Sequence, residues 1–147
     1  FDNKNYSGIT QNMDELRNVP LYNGSFYNSG CGIISALMAR SLHGQEVDVM
    51  EAYDYFSQQP DFLGGVSYDA EMAYLEKHGL KMVPLKMPQN GVYIVSYLNG
   101  LISAHWQCFK ANGDDIIGYN NYGVYSSLSE FRKGNNVILL FSYDIIP

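Results

Sequence analysis

The stretch GVYIVSYLNGLISAHWQCFKANGDDIIGY, residues 91–119, decides the fold. Its apolar residues recur with a period near two, and Asn-Gly interrupts it twice, at Asn99-Gly100 and Asn112-Gly113. Asn-Gly readily takes the positive φ values that a tight hairpin requires. The spacing predicts a strand over 91–98, a return strand over 101–111 and a third over 115–119. A strand over 80–86, ended by Pro88, precedes them, and a nearly all-apolar strand over 137–143 follows. Between them, Ser127-Leu128-Ser129-Glu130 fits a capping box for one helical turn.

Upstream the period becomes helical. Residues 31–43 read as a helix with Ile34, Leu37, Met38 and Leu42 on one stripe, stopped by Gly44. A second helix spans 47–58, with Pro60 after it; its Glu46, Asp48, Glu51 and Asp54 read as a solvated face. A third opens at Ser67 as N-cap, with Asp69 and Glu71 in its first turn, and ends at Gly79. Residues 1–18 read as irregular, with a helical turn at 13–17, and 19–22 as a short extended segment. Helices in the first half and antiparallel strands in the second give an α+β class, N-terminal helices packed on a C-terminal antiparallel sheet. With no repeat and no linker, the 147 residues read as a single domain, 1–147.

A hydrophobic content of 46% suits a folded globular chain. No apolar run approaches the ~18 residues of a membrane span, so membrane insertion is not expected. Net charge is −6, and the nine Lys and Arg residues are scattered, which argues against a nucleic-acid partner. Two cysteines are too few for a disulfide scaffold or a cysteine-built zinc site. Asp114-Asp115 has no further ligands spaced around it, so neither a metal nor a cofactor is expected. No signal peptide is visible, and a chain that opens on Phe1 rather than Met leaves room for a leader or a neighbouring domain outside this sequence.

Cys31 lies in Asn28-Ser29-Gly30-Cys31-Gly32, at the start of the first helix. A thiol there feels roughly half a positive charge from the aligned peptide dipoles, which favours the nucleophilic thiolate. The glycines keep the flanks of the sulfur free of side chains. The competing reading is a small buried residue that begins a core helix. His43 and His78 precede glycines at helix ends, where structure explains them. His105 opens a strand between small residues and Trp106 and has no such explanation. Strand alternation puts His105, Gln107 and Phe109 on one face and Trp106, Cys108 and Lys110 on the other, so Cys108 reads as a buried small hydrophobe. Asn120, at the end of the next strand, suits either turn chemistry or an acceptor that fixes the His105 tautomer. Cys31, His105 and Asn120 are therefore the candidate nucleophile, base and orienter.

In order and spacing these features resemble the papain-like cysteine peptidases of the bacteriocin-processing, C39-like group, from Val19 onward. The matching pieces are Val19-Pro20-Leu21-Tyr22, Ser29-Gly30-Cys31-Gly32, Gly44, Gly79-Leu80, His105-Trp106, Ile116 to Asn120, and Leu128-Ser129-Glu130-Phe131. The resemblance implies a papain-like fold and a peptidase with Cys31 as nucleophile and His105 as general base. Asn120 falls where the group has Asp, and papain itself has Asn. The group also has a Gln before the cysteine that helps form the oxyanion hole. Here that loop offers Asn23, the nearest match, and Asn28. The expected substrate is a peptide. Two alternatives stay open: a phage or secreted hydrolase of peptidoglycan peptides, and a non-catalytic peptide-binding module on the same fold. An extracellular setting is the mild expectation.

Overall fold

Among the described residues, three of four helices begin where a short polar side chain accepts an orphan backbone amide, and one does not. The Asp48 carboxylate takes the amides of Met50 (2.9 Å) and Glu51 (3.3 Å) and starts α2, Val49–Ser57. Ser67 Oγ takes that of Ala70 (3.1 Å) and starts α3, Tyr68–Lys77. Ser127 Oγ takes that of Glu130 (3.1 Å) and starts α4, Leu128–Asn135. The exception is α1, Cys31–Leu42, whose N-cap is Gly30 and carries no side-chain cap. These elements belong to a computed structural model that describes residues 20–21, 24–25, 30–59, 66–86, 88–99, 103–119 and 123–147. The turn expected at 13–17 lies outside them.

Two small strands, β1 (Pro20–Leu21) and β2 (Gly24–Ser25), pair with each other. The other strands of the described residues form one antiparallel sheet. Its strands are β3 (Lys81–Pro84), β4 (Val92–Asn99), β5 (Ser103–Asn112), β6 (Asp115–Gly118), β7 (Gly123–Tyr125) and β8 (Val137–Ile146). Their order is β3-β8-β4-β5-β6-β7. The expected meander therefore holds from β4 to β7, but the last strand returns across the sheet to lie between β3 and β4. The class is α+β, as the segregated pattern implied.

Helices cover both faces of the sheet. On one face α1, α2 and α3 bury Ile33, Ile34, Leu37, Val49, Phe56 and Leu75 against Val92, Ile94, Cys108 and Ile145. On the other, α4 packs Leu128 and Phe131 on Tyr93, Val95, Phe109 and Ile116. Expectation and structure part company at α1. The sequence suggested a single apolar stripe, yet every residue from Cys31 to Ser41 is buried, because α1 is enclosed by the sheet, α2 and α3.

The β4–β5 register also differs from the simplest reading of the turn. A two-residue Asn99-Gly100 loop would pair Leu98 with Leu101. Instead Asn99 pairs with Ser103 and Tyr97 with His105. An odd shift exchanges the face of β4 that accompanies each β5 side chain. The observed register sets Ile94 opposite Cys108 and Tyr93 opposite Phe109, so the apolar residues of both strands match on both faces. Burial outweighs local turn preference. At α4, the Glu130 carboxylate reaches the amide and hydroxyl of Ser126 rather than the Ser127 amide of a standard capping box, and the helix runs eight residues instead of one turn. Ser127→Ala should lower the unfolding free energy by about 1 kcal/mol in a denaturant titration, and an unchanged midpoint would show that the cap contributes nothing.

Candidate active site at the start of α1

The sheet edge explains how Cys31 reaches the strand of His105. β6 pairs with β5 only from Phe109 to Asn112. From Gln107 back to Ser103 no strand of the described residues covers that side of β5. The start of α1 fills the gap, and the Trp106 amide donates to Cys31 Sγ at 3.5 Å. Trp106 N is bonded to the carbonyl carbon of His105. Adding two bond lengths (about 1.33 and 1.52 Å) to that contact puts the sulfur within about 6.4 Å of His105 Cα. The imidazole is half-buried and stacks on its cross-strand partner Tyr97, with centroids 5.6 Å apart and planes inclined 28°.

Trp106 also fixes the neighbouring chain. Its indole donates to the Val66 carbonyl at 3.0 Å, tying the approach to α3 against the start of α1. Gly32 lies inside this contact. A Cβ there would come 2.6 Å from Val66 Cβ and 3.2 Å from Trp106 Cδ1. Gly32 therefore permits close packing; it does not leave the open flank inferred from the sequence.

The electrostatics oppose a resting thiolate. The amides of Trp106, Gly32 and Cys31 itself act on the sulfur and favour its anion, but burial outweighs them, and the thiol pKa lies above its ordinary 9.0. Only 9% of Cys31 is exposed. The sulfur's hydrogen-bond partners are these amides and not the His105 ring. Burial also lowers the His105 pKa from 6.5, so the ring is neutral at pH 7. The unliganded site pairs a neutral thiol with a neutral imidazole, against the expected helix-end thiolate. The dipole acts at one end of a helix, whereas desolvation acts on the whole charge.

Other candidates fall as follows. Asn23, Asn28 and Asn120 lie outside the described residues. Cys108 is buried on the helix-facing side of β5, and burial pushes its thiol far up. His43 Nε2 is 2.8 Å from the Ile145 carbonyl at the end of α1. His78 packs on Tyr74, with Glu51 at 3.8 Å, and burial with the Arg40 charge lowers its pKa. Burial there disfavours the imidazolium form. Among the described residues no group of three or more His, Cys, Asp or Glu could hold a metal ion, and no helix is long and apolar enough to cross a membrane.

Tyr97 is the site residue that sequence reasoning missed. Its hydroxyl donates to Gln107 Oε1 at 3.2 Å, and its ring meets Phe131 of α4 edge-on at 5.4 Å. Burial pushes its pKa up to about 12, so it stays a neutral donor. The signal was the pairing register, which the Asn-Gly turn misdirected.

Gly32→Ala should lower the unfolding free energy by about 1–3 kcal/mol, because the added methyl overpacks a tight contact. An unchanged stability would mean that Val66 yields without cost.

Comparison with protein-family models finds no matching family, and comparisons with curated proteins and with solved structures find no match.

Proposed function

We propose that the protein is a papain-like cysteine peptidase in which Cys31 attacks a peptide carbonyl and His105 takes the thiol proton. The observation that supports this best is the 3.5 Å bond from the Trp106 amide to Cys31 Sγ, which ties the thiol to the peptide unit that follows His105. The Cys31 thiol and the His105 peptide unit thereby meet although 74 positions apart in sequence. The uncapped start of α1 adds a second support. Gly30 supplies no side-chain cap, so the amides of Cys31 and Gly32 turn toward the sulfur and are proposed to stabilise an oxyanion there.

In this mechanism Sγ bonds to the carbonyl carbon as its proton passes to the neutral imidazole. His105 then returns the proton to the amine nitrogen as the C–N bond breaks, leaving an acyl-enzyme. Water attacks the acyl carbon and gives a proton to His105, and the S–C bond breaks as the imidazolium returns that proton to sulfur, regenerating the thiol. Because thiol and imidazole both begin neutral, proton transfer accompanies attack. Tyr97 holds the ring by stacking, and Asn120 is the proposed acceptor for its second nitrogen. The substrate is a peptide, and a peptidoglycan stem peptide is the narrower alternative.

The absence of a hydrogen bond between His105 and a thiol held neutral by burial favours a second reading, a non-catalytic peptide-binding module. Turnover of a peptide library separates the two. Cys31→Ala and His105→Ala should each abolish cleavage, whereas Cys108→Ala, His43→Ala and His78→Ala should retain it. Binding without cleavage by the wild-type protein would establish the module instead.

The pH dependence follows from the His105 shift. The base works when neutral, and its pKa lies below 6.5, so activity should be lost only as pH falls through a value under 6.5. An acid limb of kcat/KM centred above 6.5 would contradict a base desolvated in this way.

A further inference from the structure

The sheet protects its outer strands and leaves one segment unprotected. β3 is four residues long and contains Lys81 and Pro84. β7 is three residues long. Short length, Lys and Pro all discourage the addition of a further strand. β8 is the exception. β3 covers it only from Tyr143, opposite Pro84, to Ile146. On that side, residues 137–142 have no strand against them among the described residues, while β4 pairs with their other side. The segment reads Val137-Ile138-Leu139-Leu140-Phe141-Ser142, without a charge, a glycine or a proline. Ile138 is 63% exposed, Leu140 43% and Phe141 53%.

A bulge shapes this segment. Tyr97 pairs with Leu139 and Ser96 with Phe141, which leaves Leu140 as the extra residue. In a regular strand Ile138 and Phe141, three positions apart, point to opposite faces. Here Ile138 stands opposite Leu98 and Phe141 opposite Ser96, two positions that share a face of β4, so both side chains leave on one face. It is the face of Trp106, which pairs with Ser96. The Phe141 ring lies beside those of Tyr143 and Tyr68, with each centroid 6.4 Å away. Val137 and Leu139 go to the other face, with α4.

We propose that a second copy of the chain occupies this edge: its β8 adds antiparallel across a two-fold axis and joins two six-stranded sheets into one. The segment is its own complement. With the axis between Leu139 and Leu140, Ile138 of each copy lies opposite Phe141 of the other, and symmetry makes the contact twice. Residues directly opposite in a sheet share a face, so a regular strand could not form this pair, and the bulge at Leu140 permits it. The charge of −6 on each copy brings no like charges into the ladder, because residues 137–143 are uncharged. An uncharged apolar edge selects an uncharged apolar strand, and β8 is one. Both copies then present the α1 face on the same side. β5 lies two strands in from each β8, so the two β5 strands stand about 24 Å apart. This pairing is independent of the chemistry at Cys31.

Sedimentation velocity of the wild-type chain tests it. A six-residue edge pair is a small interface, so the dimer should form within about 1–300 µM. Ile138→Lys and Phe141→Glu should each weaken it roughly tenfold in proteins whose circular dichroism is unchanged. Ile138→Lys decides alone if loss of the Phe141 ring impairs folding. Val124→Lys, on the exposed face of β7 at the far end of the sheet, should leave the dimer intact. The register has its own readout. Ile138→Lys combined with Phe141→Glu in one chain sets opposite charges across both contacts and should recover the dimer lost in either single variant. A protein that stays monomeric throughout the range would overturn the proposal. So would a dimer that Ile138→Lys leaves intact, or an oligomer that grows without closing at two. A monomer whose 137–142 amides gain exchange protection from an added apolar peptide would also overturn it and assign the edge to a peptide.

Discussion

The start of α1 against the open edge of β5 is the contact on which the arrangement depends. A strand edge presents amides that must be paired. β6 stops at Gly118 opposite Phe109, and Cys31 Sγ takes the Trp106 amide beyond that point. One residue then serves three ends at once. The Trp106 amide donates to the Cys31 sulfur, its indole donates to the Val66 carbonyl, and its ring edge fills the space that a Cβ at Gly32 would need. The nucleophile candidate is fixed to the base candidate's peptide unit where no strand among the described residues covers β5.

That contact sets the charge state of the interior. Enclosing α1 between the sheet and two helices gives a large apolar core, but it also dehydrates every ionisable group near the N-terminus of α1. Cys31, Cys108 and Glu71 all shift toward their uncharged forms, with burial the largest cause in each. At the other end of α1 the outcome is opposite. Arg40 is buried yet reaches Tyr74, Gln45 and the Glu46 carbonyl, with Glu51 at 3.8 Å, so its charge is met by acceptors. Tyr74 sits between Arg40 and Glu51 and joins α1, α2 and α3. One end of the helix is organised by a satisfied cation, the other by neutral acids.

A neutral resting pair has a chemical consequence. A preformed thiolate would need a strong opposing charge or open solvent, and the described surroundings of Cys31 supply neither. The amides that point at the sulfur favour an anion, and they favour it equally on sulfur or on a carbonyl oxygen brought to the same place. Such a site develops negative charge during reaction and not before it, which is where fixed dipoles are most useful.

The sequence by itself determined what local chemistry controls. Helix starts at Ser67 and Ser127 follow from side chains that accept nearby amides, and helix stops at Gly44 and Gly79 follow from their φ of +82° and +79°. The two faces of β5, and with them the separation of His105 from Cys108, follow from strand alternation. Tertiary structure decided the rest. The insertion of β8 between β3 and β4 joins residues far apart in sequence, and no local pattern encodes it. The pairing of Tyr97 with His105 came from matching apolar faces across two strands, against the preference of an Asn-Gly turn. The inward turn of Glu71 and the neutral state of Cys31 depend on what surrounds α1 from every side. Propensity and capping act over a few residues, whereas desolvation depends on everything packed within a few ångströms, and that assembly exists only once the chain has folded.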